Sequence, residues 1–185
     1  MATEGEPAAG SRPPRAYESP GGVDGKSTNW ETPWDLFEAL DSEFRFICDA
    51  AAEQGNTKVP GAFISPEEDG LAVDWPRGSV WLNPPYGKAL SEWVAKARAE
   101  AERGVTVVVL VPVRSSTKWW HEHVPHATEV RLMIGRIQFI GAGVDGDERR
   151  ASPFPSAVLV FTPLGGPPRL RHVDLPRGGS KGGER

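Results

Sequence analysis

The segment Val105 to Val113, VTVVVLVPV, constrains the fold more than any other part of the chain. Seven of its nine residues are β-branched, which favours an extended backbone. No polar residue recurs at every second position, so neither face of this strand is built for water, and each needs a covering layer. The run is far shorter than the ~20 apolar residues of a membrane-spanning helix, and no other run approaches that length. With 185 residues, 38% of them apolar and 25% charged, the chain has the length and composition of one compact domain.

Glycine and proline crowd both ends, with nine among residues 1–28 and nine among residues 164–185. This predicts disordered tails over 1–28 and 165–185 around a single domain at 29–164. The tail from 165 carries five basic and two acidic residues, whereas 29–164 carries 13 basic and 19 acidic ones, so a basic tail follows an acidic domain. The N-terminal residues have neither the basic start nor the apolar stretch of a secretory signal. The single Cys48 cannot close an internal disulfide, so a cytoplasmic protein is expected.

Within the domain, helices and strands alternate. Thr32, Pro33 and Asp35 read as an N-cap, a proline at the first helical position and an acid in the first turn, and Leu36, Phe37 and Leu40 follow at helical spacing, predicting a helix over 33–42. Phe44 to Cys48 and Ser79 to Leu82 read as strands. Leu90, Trp93, Val94, Ala97 and Ala101 form one helical stripe, with Glu92 and Lys96 spaced to pair and Gly104 as the stop. A further helix is predicted over 117–124, and strands over 129–140 and 156–161. The order implies an α/β fold with an open, mostly parallel sheet and a closing antiparallel hairpin.

In such sheets ligands sit beyond the carboxyl ends of the strands. Three predicted strands end in polar residues there: Asp49-Ala-Ala51-Ala, Asn83-Pro84-Pro85-Tyr86-Gly, and Arg114-Ser-Ser. Pro84 and Pro85 remove two backbone donors and fix φ twice, leaving the Asn83 side chain and the Pro84 carbonyl as rigid acceptors beside an aromatic ring. That combination suits a planar substrate bearing an amine.

On these residues the chain resembles the amino-methyltransferases, and more closely the phage-type DNA N-6-adenine methyltransferase family. The resemblance spans Trp30 to Pro33 with Leu36 and Phe37, Asp49 to Ala52 with Asn56, Asp69 to Leu71 with Trp75, and Asn83 to Gly87. It continues through Pro112 to Arg114 with Trp119, Gly135 and Arg136 with Phe139, and Pro153 to Ser156. It implies a Rossmann-like, S-adenosylmethionine-dependent enzyme that methylates the exocyclic N6 amine of adenine in DNA, located in a host cytoplasm if phage-encoded. The implied acceptor site is Asn83, Pro84, Pro85 and Tyr86, with a flipped adenine stacked on Tyr86 and its amine donating to Asn83 and the Pro84 carbonyl. Asp49, Ala51, Asp69, Thr32 and Pro33 are implied on the cofactor, although the usual glycine-rich turn is replaced by alanines. Thr32 and Pro33 serve equally as a helix cap, and Asp49 and Asp69 as a cap and a turn residue. DNA is the implied partner, reached through Arg114, Lys118, Arg149 and Arg150. The competing readings are a protein-glutamine or RNA methyltransferase, since a side-chain amide suits the same acceptors, and a catalytically silent DNA-binding protein of the same fold.

Other signals carry less. Gly141, Gly143 and Gly146 match a dinucleotide fingerprint by spacing, but charges and prolines follow where a helix is required, so a hairpin loop is expected. His121, His123 and His126 do not converge on one helix face, and no metal is expected. Cys48 reads as a buried small hydrophobe, and Arg136 as a mid-strand residue that either meets substrate or holds the fold.

Overall fold

A computed structural model describes residues 30–140 and 149–176. Its centre is a six-stranded sheet in the order β1-β2-β3-β7-β4-β8, formed by β1 (Cys48–Asp49), β2 (Ser79–Leu82), β3 (Thr106–Pro112), β7 (Ser156–Phe161), β4 (Glu129–Ile134) and β8 (Arg169–Asp174). Pairing is parallel from β1 through β3, antiparallel on both edges of β7, and parallel again between β4 and β8. Only β7 therefore runs against the rest, as the mostly parallel reading required.

The β3 run behaves as its composition dictates, with Val107 to Val111 wholly inaccessible. Val107, Val109 and Val111 pack with Leu90, Trp93, Val94 and Ala97 of α2 (Leu90–Glu102). The alternate residues Val108 and Leu110 pack with Leu36, Phe37 and Leu40 of α1 (Trp34–Phe44) and with Phe139. Period-two alternation thus serves two apolar layers, which is why no polar residue interrupts the strand. A short α3 (Lys118–His123) continues into a 3-10 turn, Val124–His126.

Three expectations change. Phe44 ends α1, and Arg45 follows at φ 53 with its N–H on the Asp41 carbonyl, so Phe44 to Ile47 form a helix stop and connection, and the strand begins at Cys48. Residues 129–140 are not one strand. Gly135, at φ 91, turns the chain out of the main sheet after β4, leaving Arg136 exposed between strands. Beyond it, β5 (Gln138–Ile140) and β6 (Arg149–Ala151) form a separate antiparallel pair on the α1 side. The predicted disorder from 165 fails at Arg169–Asp174, which form β8: β4 offers a free edge, and Arg171 adds an ion pair at 2.7 Å to Glu129. Lys96 of α2 meets Glu100 at 2.6 Å, a carboxylate that is itself buried. The expected tail 1–28, the glycine-rich segment 141–146 and residues 177–185 lie outside the described residues. Among the described residues no helix is long and apolar enough to cross a membrane.

An ion-pair cluster ties α1 to the far strands. Arg131 of β4, 7% exposed, donates at 2.6 Å to each oxygen of Glu43 and at 3.1 Å to each of Glu129. The two-point Glu43 contact holds that carboxyl below its ordinary range.

Candidate functional site

At the carboxyl ends of β1 and β2 a cleft is lined by Trp30, Glu31, Thr32, Asp49, Ala51, Asn56, Lys58, Trp81, Asn83, Pro84 and Pro85. Two parallel neighbours, Cys48↔Val80 and Asp49↔Trp81, set Asp49 at the end of β1 and Asn83 just beyond the end of β2 at one rim. Six of the expected site residues therefore meet: Thr32, Asp49, Ala51, Asn83, Pro84 and Pro85.

The Asn83 amide is oriented by the backbone. Its Nδ2 donates to the Trp30 carbonyl at 2.6 Å, while its Oδ1 is buried without a hydrogen-bond partner. Reversing the amide would set two oxygens against each other at that distance, so the geometry permits only one assignment. A buried, unpaired acceptor costs on the order of 1–3 kcal/mol, and it recovers this when a donor arrives. Pro85's carbonyl is taken by the Gly87 N–H at 3.0 Å, whereas among the described residues no backbone N–H takes that of Pro84.

Asp49 is 3% exposed, and its Oδ2 accepts the Lys58 N–H at 3.0 Å. Burial pushes its pKa up to about 6, against the opposing pull of the Lys58 and Ala51 N–H groups and the Lys58 charge. After β1 the chain loops out and returns parallel to it, with the Asp49 N–H on the Ala62 carbonyl and the Ile64 N–H on the Asp49 carbonyl. The loop, rather than a turn of glycines, brings Asn56 and Lys58 to the cleft wall. Lys58 and Glu31 are charged lining residues that sequence reasoning did not assign to the site. Lys58 Nζ lies 2.6 Å from Glu31 Oε1 and 4.3 Å from the Trp34 ring centroid, with 2% of the side chain exposed. A lysine in a loop gives no sequence sign of burial.

Thr32 is not a cap. Pro33 takes the N-cap position of α1 without a side-chain hydrogen bond, and Thr32 Oγ1 is a second buried atom without a partner. Pro33 itself is buried outside the cleft lining.

Asp69, Tyr86 and the four cations do not line the cleft. Asp69 sits at φ 56 in a turn, with its Oδ1 accepting the Leu71 N–H at 3.1 Å. Its neighbour Gly70 fits where a Cβ would lie 2.5 Å from the Ala50 carbonyl oxygen and 2.8 Å from Trp93, and the Trp75 indole N–H donates to the Gly70 carbonyl at 2.8 Å. The Asp-Gly-Leu and Trp75 pattern thus has a packing explanation, bracing the backbone just after Asp49. Tyr86 packs edge-on to Phe154 at 5.5 Å and Phe139 at 6.4 Å, and Trp30 meets the same two rings at 6.0 and 5.3 Å. Its hydroxyl lies 3.4 Å from the Leu110 carbonyl, and burial holds that hydroxyl protonated far above its ordinary pKa. Arg114, Lys118, Arg149 and Arg150 are all exposed; Lys118 pairs with Glu122 at 3.1 Å and Arg149 with Asp35 at 3.5 Å.

Residues 23–181 match the family model described as DNA N-6-adenine-methyltransferase (Dam). A DNA N-6-adenine-methyltransferase of Haemophilus phage HP1 is 35% identical over 137 residues, covering 72% of this chain and 78% of that protein. One of Escherichia phage T1 is 32% identical over 156 residues, covering 73% of this chain and 65% of that protein. A solved structure of a candidate class I S-adenosylmethionine-dependent methyltransferase from Listeria monocytogenes aligns at a TM-score of 0.42 and 12% identity, over 78% of this chain and 65% of that one.

Proposed function

Because this chain belongs to the DNA N-6-adenine-methyltransferase family, we propose that it transfers a methyl group from S-adenosylmethionine to the exocyclic N6 amine of adenine in DNA, with its cleft as the active site. The observation that carries the reading is the buried, unpaired Asn83 Oδ1 beside Pro84. An exocyclic amine has two N–H groups, and Asn83 Oδ1 with the Pro84 carbonyl supplies two acceptors. Accepting both fixes the amine and leaves its lone pair pointing away from the acceptors. The same oxygens stabilise the positive charge that develops on nitrogen, so no side chain need remove a proton first. The Trp30 carbonyl keeps the amide from turning its own N–H groups toward the amine.

The cleft fits the methyl donor chemically. S-adenosylmethionine, when bound, supplies an electrophilic methyl on a sulfonium. Asp49 offers a carboxylate suited to ribose hydroxyls, and Thr32 Oγ1 a second unpaired polar atom. Tyr86 follows Pro85 and lies outside the cleft lining, and its ring, packed edge-on by Phe154 and Phe139, is the surface next to the cleft on which the base stacks. Arg114, Lys118, Arg149 and Arg150 hold DNA phosphates.

The cofactor assignment predicts a pH dependence. Only ionised Asp49 accepts two hydroxyl donors, and its folded pKa is about 6. Cofactor affinity is therefore expected to be level above about pH 7 and to fall as pH drops through 6, approaching tenfold per unit below it. Asp49→Asn should weaken binding at pH 7.5 and abolish the dependence. Calorimetry with S-adenosylmethionine between pH 5 and 8 checks this; the same midpoint in both proteins would remove Asp49 from the site. The fold itself responds in the opposite sense. A carboxyl whose pKa is raised on folding binds protons more tightly when folded, so its contribution to stability declines as pH rises from about 4 to 6. A loss of affinity on acidification is thus not caused by Asp49 unfolding the protein.

A further inference from the structure

Three charged side chains line the cleft: Glu31, Asp49 and Lys58. Lys58 joins the other two, its backbone N–H on Asp49 Oδ2 at 3.0 Å and its ammonium on Glu31 Oε1 at 2.6 Å. The two carboxylates are therefore held one lysine apart on a single wall. Asp49 is buried, whereas Glu31 is 27% exposed, and no described hydrogen bond reaches its Oε2. The Glu31 backbone is fixed as well, because its carbonyl accepts the Ile140 N–H at 3.0 Å in a bridge to β5. A half-open carboxylate that lines a cleft, with one oxygen pinned and no described hydrogen bond on the other, is a receptor for a cation.

Resting on the reading above, we propose that Glu31 receives the α-ammonium group of the amino-acid end of S-adenosylmethionine, and that Lys58 is the positioning residue that holds Glu31 for it. The charge balance agrees. Two carboxylates against one ammonium leave the cleft at -1, and a sulfonium carrying a zwitterionic amino acid has a net charge of +1. Asp49 then serves the ribose and Glu31 the amino-acid end, with the spacing between them set by Lys58.

The test is calorimetry on the full chain with three neutral-sulfur probes, so that the sulfonium charge plays no part: S-adenosylhomocysteine, its decarboxylated form, which keeps the ammonium, and 5′-methylthioadenosine, which lacks the amino-acid end. Glu31→Gln should weaken the first two by about tenfold or more, the scale of a hydrogen bond to a charged group, and leave 5′-methylthioadenosine unchanged. Lys58→Met should show the same ligand selectivity, and Lys58→Arg should restore most of the affinity. Retained 5′-methylthioadenosine binding also reports that each variant is folded. Equal losses on all three probes, or no loss on S-adenosylhomocysteine, would overturn the proposal. A loss on S-adenosylhomocysteine that is absent for its decarboxylated form would do so too, because it would assign the pair to the carboxylate. If the unaltered protein binds none of the probes and no S-adenosylmethionine, the functional reading fails instead.

Discussion

Asn83→Ala should lower kcat by about 10²–10³-fold while leaving the affinity for S-adenosylmethionine nearly unchanged. The expected loss, about 2.7–4 kcal/mol in the barrier, is that of removing one pre-positioned group that stabilises developing charge. Two features of the site argue for the high end. Oδ1 is already desolvated and aimed by the 2.6 Å bond from Nδ2 to Trp30, so the folded protein has met the cost of orienting it before substrate arrives. The alanine variant also leaves the Trp30 carbonyl without its donor, which loosens the segment carrying Glu31 and Thr32. A modest secondary effect on cofactor affinity follows from that coupling. Steady-state kinetics with parallel calorimetry separates the two, and wild-type turnover in the variant would remove Asn83 from the acceptor site.

The second large effect concerns DNA. The domain from 29 to 164 is acidic by six charges, 19 acidic residues against 13 basic, so any attraction to phosphate must come from local cations. Arg114 and Arg150 are exposed with no described ion pair, while Lys118 and Arg149 hold exposed pairs that a phosphate can displace at little cost. Four phosphate contacts imply a slope near -3.6 for log K against log salt, hence about a 10²-fold loss of affinity between 50 and 200 mM salt. Arg114→Ala with Arg150→Ala should bring the slope to about half, without altering cofactor affinity. A duplex-binding series across that range reads both effects. An unchanged slope in the double variant would place the phosphates elsewhere on the surface, and a flat response in the unaltered protein would speak for a non-nucleic-acid substrate. Removing residues after Leu164 is no clean probe of the tail, since it deletes β8 and bares the edge of β4. A cut after Pro176 keeps that strand.

The parts of this architecture that could be read from sequence are those fixed by local composition. The β3 run announces its own two-sided burial, the α2 stripe announces its face, and two consecutive prolines after Asn83 force a rigid strand end whatever surrounds them. What stayed hidden depends on partners distant in the chain. Lys58 is buried because Glu31 and Trp34, more than twenty residues earlier, meet it. Cys48 and Asp49 form a strand of only two residues because a loop returning at Phe63 completes the pairing, which no periodicity records. β8 is exposed along almost its whole length and lacks an apolar face, so its pairing with β4 leaves no pattern in a stretch that otherwise resembles a tail. Gly135 is a misread local signal, as are the helix stop at Arg45 and the cap at Thr32: a positive φ at Gly135 divides 129–140 between two sheets. Within the cleft, Asn83, Pro84 and Pro85 were legible because they follow one another in sequence, whereas Lys58 reaches the same cleft from a separate segment that no local pattern marks.

Methyl transfer to adenine is read out by analysis of the methylated product. Unmethylated duplex DNA is incubated with the full chain and S-adenosylmethionine carrying an isotopically labelled methyl group, then digested to nucleosides and resolved by mass spectrometry. Label is expected in N6-methyl-deoxyadenosine at low salt, absent with Asn83→Ala. Bound S-adenosylmethionine with no labelled nucleoside, or label confined to a protein or RNA substrate offered alongside, would contradict methyl transfer to adenine.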